Sequence, residues 1–352
     1  MNELRTLLGD VVTRLFTDRV TPDLLASVEK GQWPAALWDA VEENGLTLPL
    51  VPEAKGGAGG TWGDAHVVIR ASGRHALPLP LAETIVAAWL LAESGLAVPA
   101  GPLTLAPVHH DERLRLARAD GGWRLGGTAS RVPWGRAARH VVVVADAETR
   151  PHVALVAAGD YRVTEDRNLA IEPRDTLVFD GAPVTAAAPI GARVPPDAVW
   201  FYGALARSAQ MAGGLEYALG QATRYATERR QFGKPIGAFQ AIQWQLAILG
   251  EQTAAAGAAA ASAFRAAERG DAAFEIAVAK VRVGEAAGIG ASIAHQVHGA
   301  IGFTYEHALQ FTTRRLWSWR AEFGGEGWWA ATLGRSIAAR GADGLWPFLT
   351  AR

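Results

Sequence analysis

Leu4, Leu7, Leu8, Val11, Val12 and Leu15 recur at three- and four-residue spacing with acids and arginines between them, which predicts an amphipathic opening helix. Glycine and proline then punctuate further helices to about residue 98. Leu37, Trp38 and Val41 share one face, and their helix is expected to stop near Gly45. From about 99 to 195 the period shortens: Trp123 with Leu125, His140 to Ala145, His152 to Ala157 and Thr176 to Phe179 read as short strands. No long helical pattern intervenes, so these strands predict an antiparallel sheet or small barrel rather than a parallel sheet. Beyond Pro195-Pro196, a long helix is expected from Asp197 as N-cap through Leu205, Met211, Leu215 and Leu219 to Arg229. A second carries Phe239, Ile242, Leu246 and Leu249, and a third Phe274, Val278 and Val281. The alanines between 254 and 261 let helix axes approach closely. The expected class is α+β: an N-terminal helical domain over 1–98, a central antiparallel β-domain over 99–195 and a C-terminal four-helix bundle over 196–352.

Composition narrows the chemistry. The 352 residues are 49% hydrophobic and 20% charged, enough to bury a large core and unlike a disordered chain. Thirty-four basic against 35 acidic side chains leave a net charge of -1, so no overall field draws nucleic acid or an anionic membrane. Zero cysteines exclude disulfides, thiolate metal sites and cysteine nucleophiles. Without a signal-peptide core or a long uninterrupted apolar stretch, the chain is expected to be cytoplasmic. His109-His110 and His295 with His298 lack carboxylates at ligand spacing, and no metal is expected. The loop Gly56-Gly57-Ala58-Gly59-Gly60 has the wrong glycine order for a dinucleotide fingerprint and no βαβ unit around it.

Two segments of the last block interrupt otherwise good helices: Arg229-Arg230-Gln231-Phe232-Gly233-Lys234-Pro235-Ile236-Gly237 followed by Phe239-Gln240, and Gln296-Val297-His298-Gly299-Ala300-Ile301-Gly302-Phe303. A phosphate wants a guanidinium fork and free backbone N–H groups, and an adenine ring wants an aromatic face. Arg229, Phe232 and Gly233 supply that set; Gly299 leaves room for a diphosphate or ribose, and Gln240 and Gln296 offer polar edges. On residue types alone, a helix end with a basic last turn and a glycine stop accounts for each segment equally well.

Taken in order, the two segments resemble the acyl-CoA dehydrogenase family, whose C-terminal bundle carries R-x-x-F-G-x-x-I, a following F/H-Q, and then Q-x-x-G-G-x-G. Val51-Pro52-Glu53 with its glycine loop is similar to the family's V-P-E-x-x-G-G-x-G. The resemblance covers nearly the whole chain. It implies FAD as cofactor, an acyl-CoA thioester as substrate, and Arg229, Gln231, Phe232, Gln240, Gln296, Gly299 and Ala300 as the clamp for the adenosine diphosphate half of a neighbouring subunit's flavin. Ala300 departs from the family's second glycine.

The same resemblance exposes losses. The family's catalytic glutamate position, counted on from Arg315, falls on Gly324, and the position that other members use falls near Gly203. The family's T-E-x-x-x-G-S-D has no counterpart in Leu103 to His110, and its W-I-T/S becomes Arg131-Val132-Pro133, where proline has no N–H to donate. The expectation is a base-lacking subunit paired with a paralogous, glutamate-bearing acyl-CoA dehydrogenase subunit. Two alternatives stand beside it: a self-sufficient homo-oligomer using Glu326 or Glu322 as a displaced base, two residues from the vacant position, or a non-enzymatic scaffold. Trp317, Trp319, Trp328 and Trp329 crowd this segment as core packing or as a closure of the acyl pocket.

Overall fold

The computed structural model describes residues 3–119 and 121–352. Five helices come first: α1 (Glu3–Arg19), α2 (Pro22–Glu29), α3 (Ala35–Glu43), α4 (Trp62–Arg74) and α5 (Leu81–Glu93). Their starts are written in the sequence. Thr21 accepts from the Leu24 N–H at 3.2 Å ahead of Pro22, and the Asp64 carboxylate accepts the Thr61 N–H at 2.8 Å. α5 is buried almost all round, with Glu83 sealed inside it.

The middle of the chain forms two four-stranded sheets. One contains β1 (Leu103–Ala106), β4 (His140–Ala145), β5 (His152–Ala157) and β8 (Ala186–Pro189) in the order β1-β4-β5-β8. The other contains β2 (Arg115–Ala119), β3 (Gly122–Pro133), β6 (Arg162–Thr164) and β7 (Arg174–Pro183) in the order β2-β3-β7-β6. Pairing is antiparallel except between β1 and β4, which run parallel with Leu103 opposite His140. That departs from a purely antiparallel β-domain. After β1 the chain leaves to build the β2–β3 hairpin of the other sheet and re-enters beside β1 in the same direction.

The last part is helical: α6 (Ala198–Glu228), a hairpin of β9 (Arg230–Gln231) and β10 (Lys234–Pro235), then α7 (Gln240–Arg269), α8 (Ala273–His298), α9 (Leu309–Ala321), α10 (Glu326–Arg340) and α11 (Ala342–Thr350). Asp197 stands at the N-cap position of α6 without a side-chain cap. α6 to α9 make the bundle, and α4 lies across α6 at backbone contact. A Cβ on Gly73 would sit 1.9 Å from the Gln210 carbonyl oxygen, and one on Gly213 2.0 Å from that of Arg70. Only glycine permits that crossing.

On α8 the expected inner face is only partly the inner one. Val278 is exposed and Phe274 meets Phe348 of α11 edge to face at 4.9 Å, while Ile276, Ala279, Val283 and Ala287 fill the core. Of the three residues read as the inner face, Phe274 packs against α11, Val278 faces outward and Val281 lies partly buried against the core.

Candidate functional site

Two regions carry the chemistry singled out above. The first is the end of the bundle where α6 and α8 terminate together. Tyr225, in the last turn of α6, stacks on His298, the last residue of α8, with centroids 4.6 Å apart and planes at 26°. α6 stops where Arg229 turns extended, its N–H donating to the Tyr225 carbonyl at 2.8 Å. The hairpin then reverses through Phe232 (φ +50°) and Gly233 (φ +81°), closed by the Ile236 N–H donating to the Arg229 carbonyl at 2.8 Å. Phe232 is 90% exposed and meets Phe239 edge to face at 6.1 Å.

Arg229, Gln231, Gln240, Gln296, Gly299 and Ala300 are all exposed as well. Gly299 has φ +66° and nothing within 4 Å of where a Cβ would stand, so backbone torsion rather than space demands glycine there. Ala300 keeps an ordinary negative φ, and its methyl group strains nothing. The seven sequence-derived positions thus lie at one end of the bundle, turned outward. The nearby histidines are occupied otherwise: His298 Nδ1 lies 2.7 Å from the Ala294 carbonyl, and His295 Nε2 lies 2.7 Å from Thr313 Oγ1. Burial, with His298 adding to it, pushes the His295 imidazole down to about 4.

The second region is the loop between α9 and α10, where the catalytic glutamate would stand. Neither glycine position is open. A Cβ on Gly203 would fall 2.3 Å from the ring of Phe323. A Cβ on Gly324 would fall 2.7 Å from Trp329 Nε1 and 2.8 Å from the Trp200 ring, on a backbone with φ +89°. Trp329 Nε1 donates to the Phe323 carbonyl at 2.9 Å. The ammonium of Lys280, buried in α8, donates to the carbonyls of Arg320 and Gly324 at 2.6 Å each and pins the loop from below. Burial pushes that lysine down to about 7.

Trp200, Trp328 and His110 pack as a cluster, Trp200 and Trp328 at 5.1 Å. The cavity left between this loop and Val108, His109, Arg131 and Pro133 has a volume of about 280 Å³. That lies at the low end of the sizes typical of small-molecule sites, and through His109 and Trp200 it adjoins a second cavity of about 250 Å³. Its lining fits a flavin ring poorly, because Pro133 has no N–H to donate and Trp200 and Trp328 stand in its wall. Of the four tryptophans noted in the sequence, Trp319 and Trp329 are core, and Trp328 lines the remnant cavity.

The two displaced acids are committed elsewhere. Glu322 is largely buried and held by guanidiniums. It accepts from Arg174 Nε and Arg207 Nε at 2.7 Å each and from Asn168 Nδ2 at 3.2 Å. Burial alone would raise its carboxyl, but the two guanidiniums outweigh it and hold the group down at about 2. Glu326 accepts from Arg320 Nε at 2.7 Å and lies against Gly284 of α8; it does not line the cavity.

Around Glu322 runs a buried network that sequence reading missed. Arg207 reaches Glu83 of α5, Arg174 reaches Glu172, and Glu172 also accepts from Arg315 Nε at 3.0 Å and Trp319 Nε1 at 3.1 Å. Helical, sheet and bundle segments meet on it. The available signal was a charge set within an apolar stretch of each helix: Glu83 in α5 and Arg207 in the first half of α6. Such residues are seldom buried without a partner.

Comparison with known proteins bears on both regions. Residues 2–97 match the family model described as acyl-CoA dehydrogenase, N-terminal domain, and residues 202–335 the one described as acyl-CoA dehydrogenase, C-terminal domain. The acyl-CoA dehydrogenase FadE34 of Mycobacterium tuberculosis is 32% identical over 81% of this chain, which spans 40% of that relative's length. Among solved structures, a variant of the Tcur3481-Tcur3483 steroid ACAD superposes with a TM-score of 0.87 at 28% identity, over 96% of this chain and 98% of that one. The ChsE4-ChsE5 complex from Mycobacterium tuberculosis gives a TM-score of 0.87 at 25% identity, over 97% and 99%. Among the described residues, no helix is long and apolar enough to cross a membrane.

Proposed function

The chain belongs to the acyl-CoA dehydrogenase family, whose cofactor is FAD, and we propose that within it this chain is the base-lacking subunit of a hetero-oligomer. The carrying observation is that aromatic rings occupy both places where a catalytic carboxylate would stand, Phe323 over Gly203 and Trp200 with Trp329 over Gly324. The outward-facing clamp positions support the complementary half of the reading. So do the two similar solved assemblies, each a pair of differently named chains.

In the proposed reaction a carboxylate of the partner takes the α proton of an acyl-CoA thioester, and the β hydrogen leaves with its electron pair, giving the α,β-unsaturated thioester. FAD supplies the hydride acceptor. This chain's residues bind and orient: the Arg229 fork pairs with a phosphate, Phe232 offers its ring to adenine, and Gln231, Gln240 and Gln296 offer hydrogen bonds. Gly299 and Ala300 leave the end of α8 unobstructed for the diphosphate.

Expression of the chain alone and together with a glutamate-bearing paralogue tests the proposal. Turnover and one flavin for each pair of chains are expected in the mixed assembly, and none from this chain alone. Full dehydrogenase activity from the lone chain overturns it, and a colourless mixed assembly points instead to a scaffold without flavin.

A further inference from the structure

We infer that the cleft between the α2–α3 region and the β-domain binds a flat ring system carrying a carboxylate. Its volume is about 680 Å³, within the range that takes a drug-sized ligand, and it lies where two packed units meet, a common place for such sites. It shares no lining residue with the cavity beside Phe323 or with the seven clamp positions.

Three tryptophans stand in its wall: Trp33 from the loop between α2 and α3, Trp38 from α3 and Trp134 from the turn after β3. Trp33 and Trp38 lie 6.0 Å apart with planes at 42°, and Trp33 keeps 38% of its surface exposed. Indole faces favour offset or edge contact with another flat ring. Trp38 is itself buried, and its indole N–H has no acceptor among the described residues.

The charges select the sign of the ligand. Arg136 also lines the cleft, but its guanidinium is held by Asp175 and Glu165. Arg139 and Arg167 have no carboxylate in ion-pair reach among the described residues, and the only side-chain bond of Arg167 there is a 3.5 Å contact to the Glu29 carbonyl. Against these two guanidiniums the cleft sets one further carboxylate, Asp39. An anion is therefore favoured, and a carboxylate matches the guanidinium fork.

Backbone strain is independent of both arguments. Trp134 at φ +58° and Ile171 at φ +62° lie in the same wall, in the left-handed region that bulky and β-branched residues avoid. Strained residues of this kind gather at ligand-binding walls. Glycine or asparagine would make either turn without that strain.

Isothermal titration of the full chain with 1-naphthoate tests this without reference to flavin or partner. Saturable binding is expected, weakened about tenfold in Trp33→Leu and in Arg139→Gln. The neutral analogue 1-naphthalenemethanol should bind the native chain about tenfold more weakly than 1-naphthoate, and equally well in Arg139→Gln. Both substituted residues are exposed, and circular dichroism checks that each variant keeps the fold. Absence of saturation at millimolar 1-naphthoate, or unchanged affinity in either folded variant, overturns the inference.

Discussion

The end of the bundle at Arg229 and Gly299 and the loop at Gly324 began from the same kind of evidence, a glycine among polar residues in a family motif, and the structure treats them oppositely. At Gly299 no atom stands within 4 Å of a would-be Cβ, and Phe232 on the hairpin after α6 is almost bare. At Gly324 two indoles stand within 3 Å, and the loop is stitched down by Lys280, Trp329 and Glu322. One glycine keeps space for something to arrive. The other marks space already filled by two indole rings.

The closed region should break hardest at its ions. Removing one partner of a buried, hydrogen-bonded charge pair costs about 3–5 kcal/mol, because the other charge is left in a medium that cannot solvate it. Arg207→Met strips Glu83 and Glu322 together and is expected at the upper end of that range, read as a fall in the urea midpoint. Glu322 gives the same region a pH signature. Its carboxyl titrates near 2 in the folded chain against 4.5 ordinarily, so its contribution is complete above about pH 4.5 and fades as pH falls toward 2. Glu322→Gln should flatten that acid limb. An unchanged limb would mean that the network does not hold the loop.

Restoring the base should cost less and gain nothing. Gly324→Glu forces a side chain between Trp200 and Trp329 on a left-handed backbone, at a cost of about 3 kcal/mol. Turnover of the lone chain is expected to stay at background in Gly324→Glu and in Gly203→Glu. Activity from either would show that the rings move aside and that the two regions differ less than their packing implies.

The open region should respond in binding rather than stability. Arg229→Ala removes an exposed guanidinium that nothing in the chain leans on, so the melting temperature of the lone chain should barely change. Flavin retention by the mixed assembly should fall by about 2 kcal/mol, the worth of a charge-assisted hydrogen bond, measured as the FAD dissociation constant. Equal flavin binding in that variant would remove the clamp from the comparison.

The difference between the regions follows the limits of what sequence can carry. The positions proposed as a clamp stood out in the sequence because they lie within two short segments whose spacing is itself the signal. Strands β4 and β5 were legible for the same reason: alternating or continuous apolar runs announce themselves locally. The parallel β1–β4 pair was not, because it depends on where the chain returns after a long excursion. The rings over Gly203 and Gly324 were half legible: Trp329 was in view, but Trp200 lies more than a hundred residues away and meets it only in the fold. The role of Glu322 was invisible from its neighbours, since its partners Arg174 and Arg207 come from a strand and a distant helix.

Glu326 offers the finest division between the regions, since it is the one acid of the loop not locked into the buried network. Its pair with Arg320 is partly exposed, and such pairs are worth about 0–1 kcal/mol. Glu326→Gln should therefore shift stability by less than about 1 kcal/mol and leave turnover of the mixed assembly unchanged, measured with saturating thioester. The expectation rests on direction as much as on energy: the carboxylate lies against Gly284 and outside the cavity wall, so no proton on a thioester held there is within its hydrogen-bond reach. A fall of tenfold or more in kcat with flavin retained would make this chain's own loop a participant, and the closed region would then have to open during the reaction.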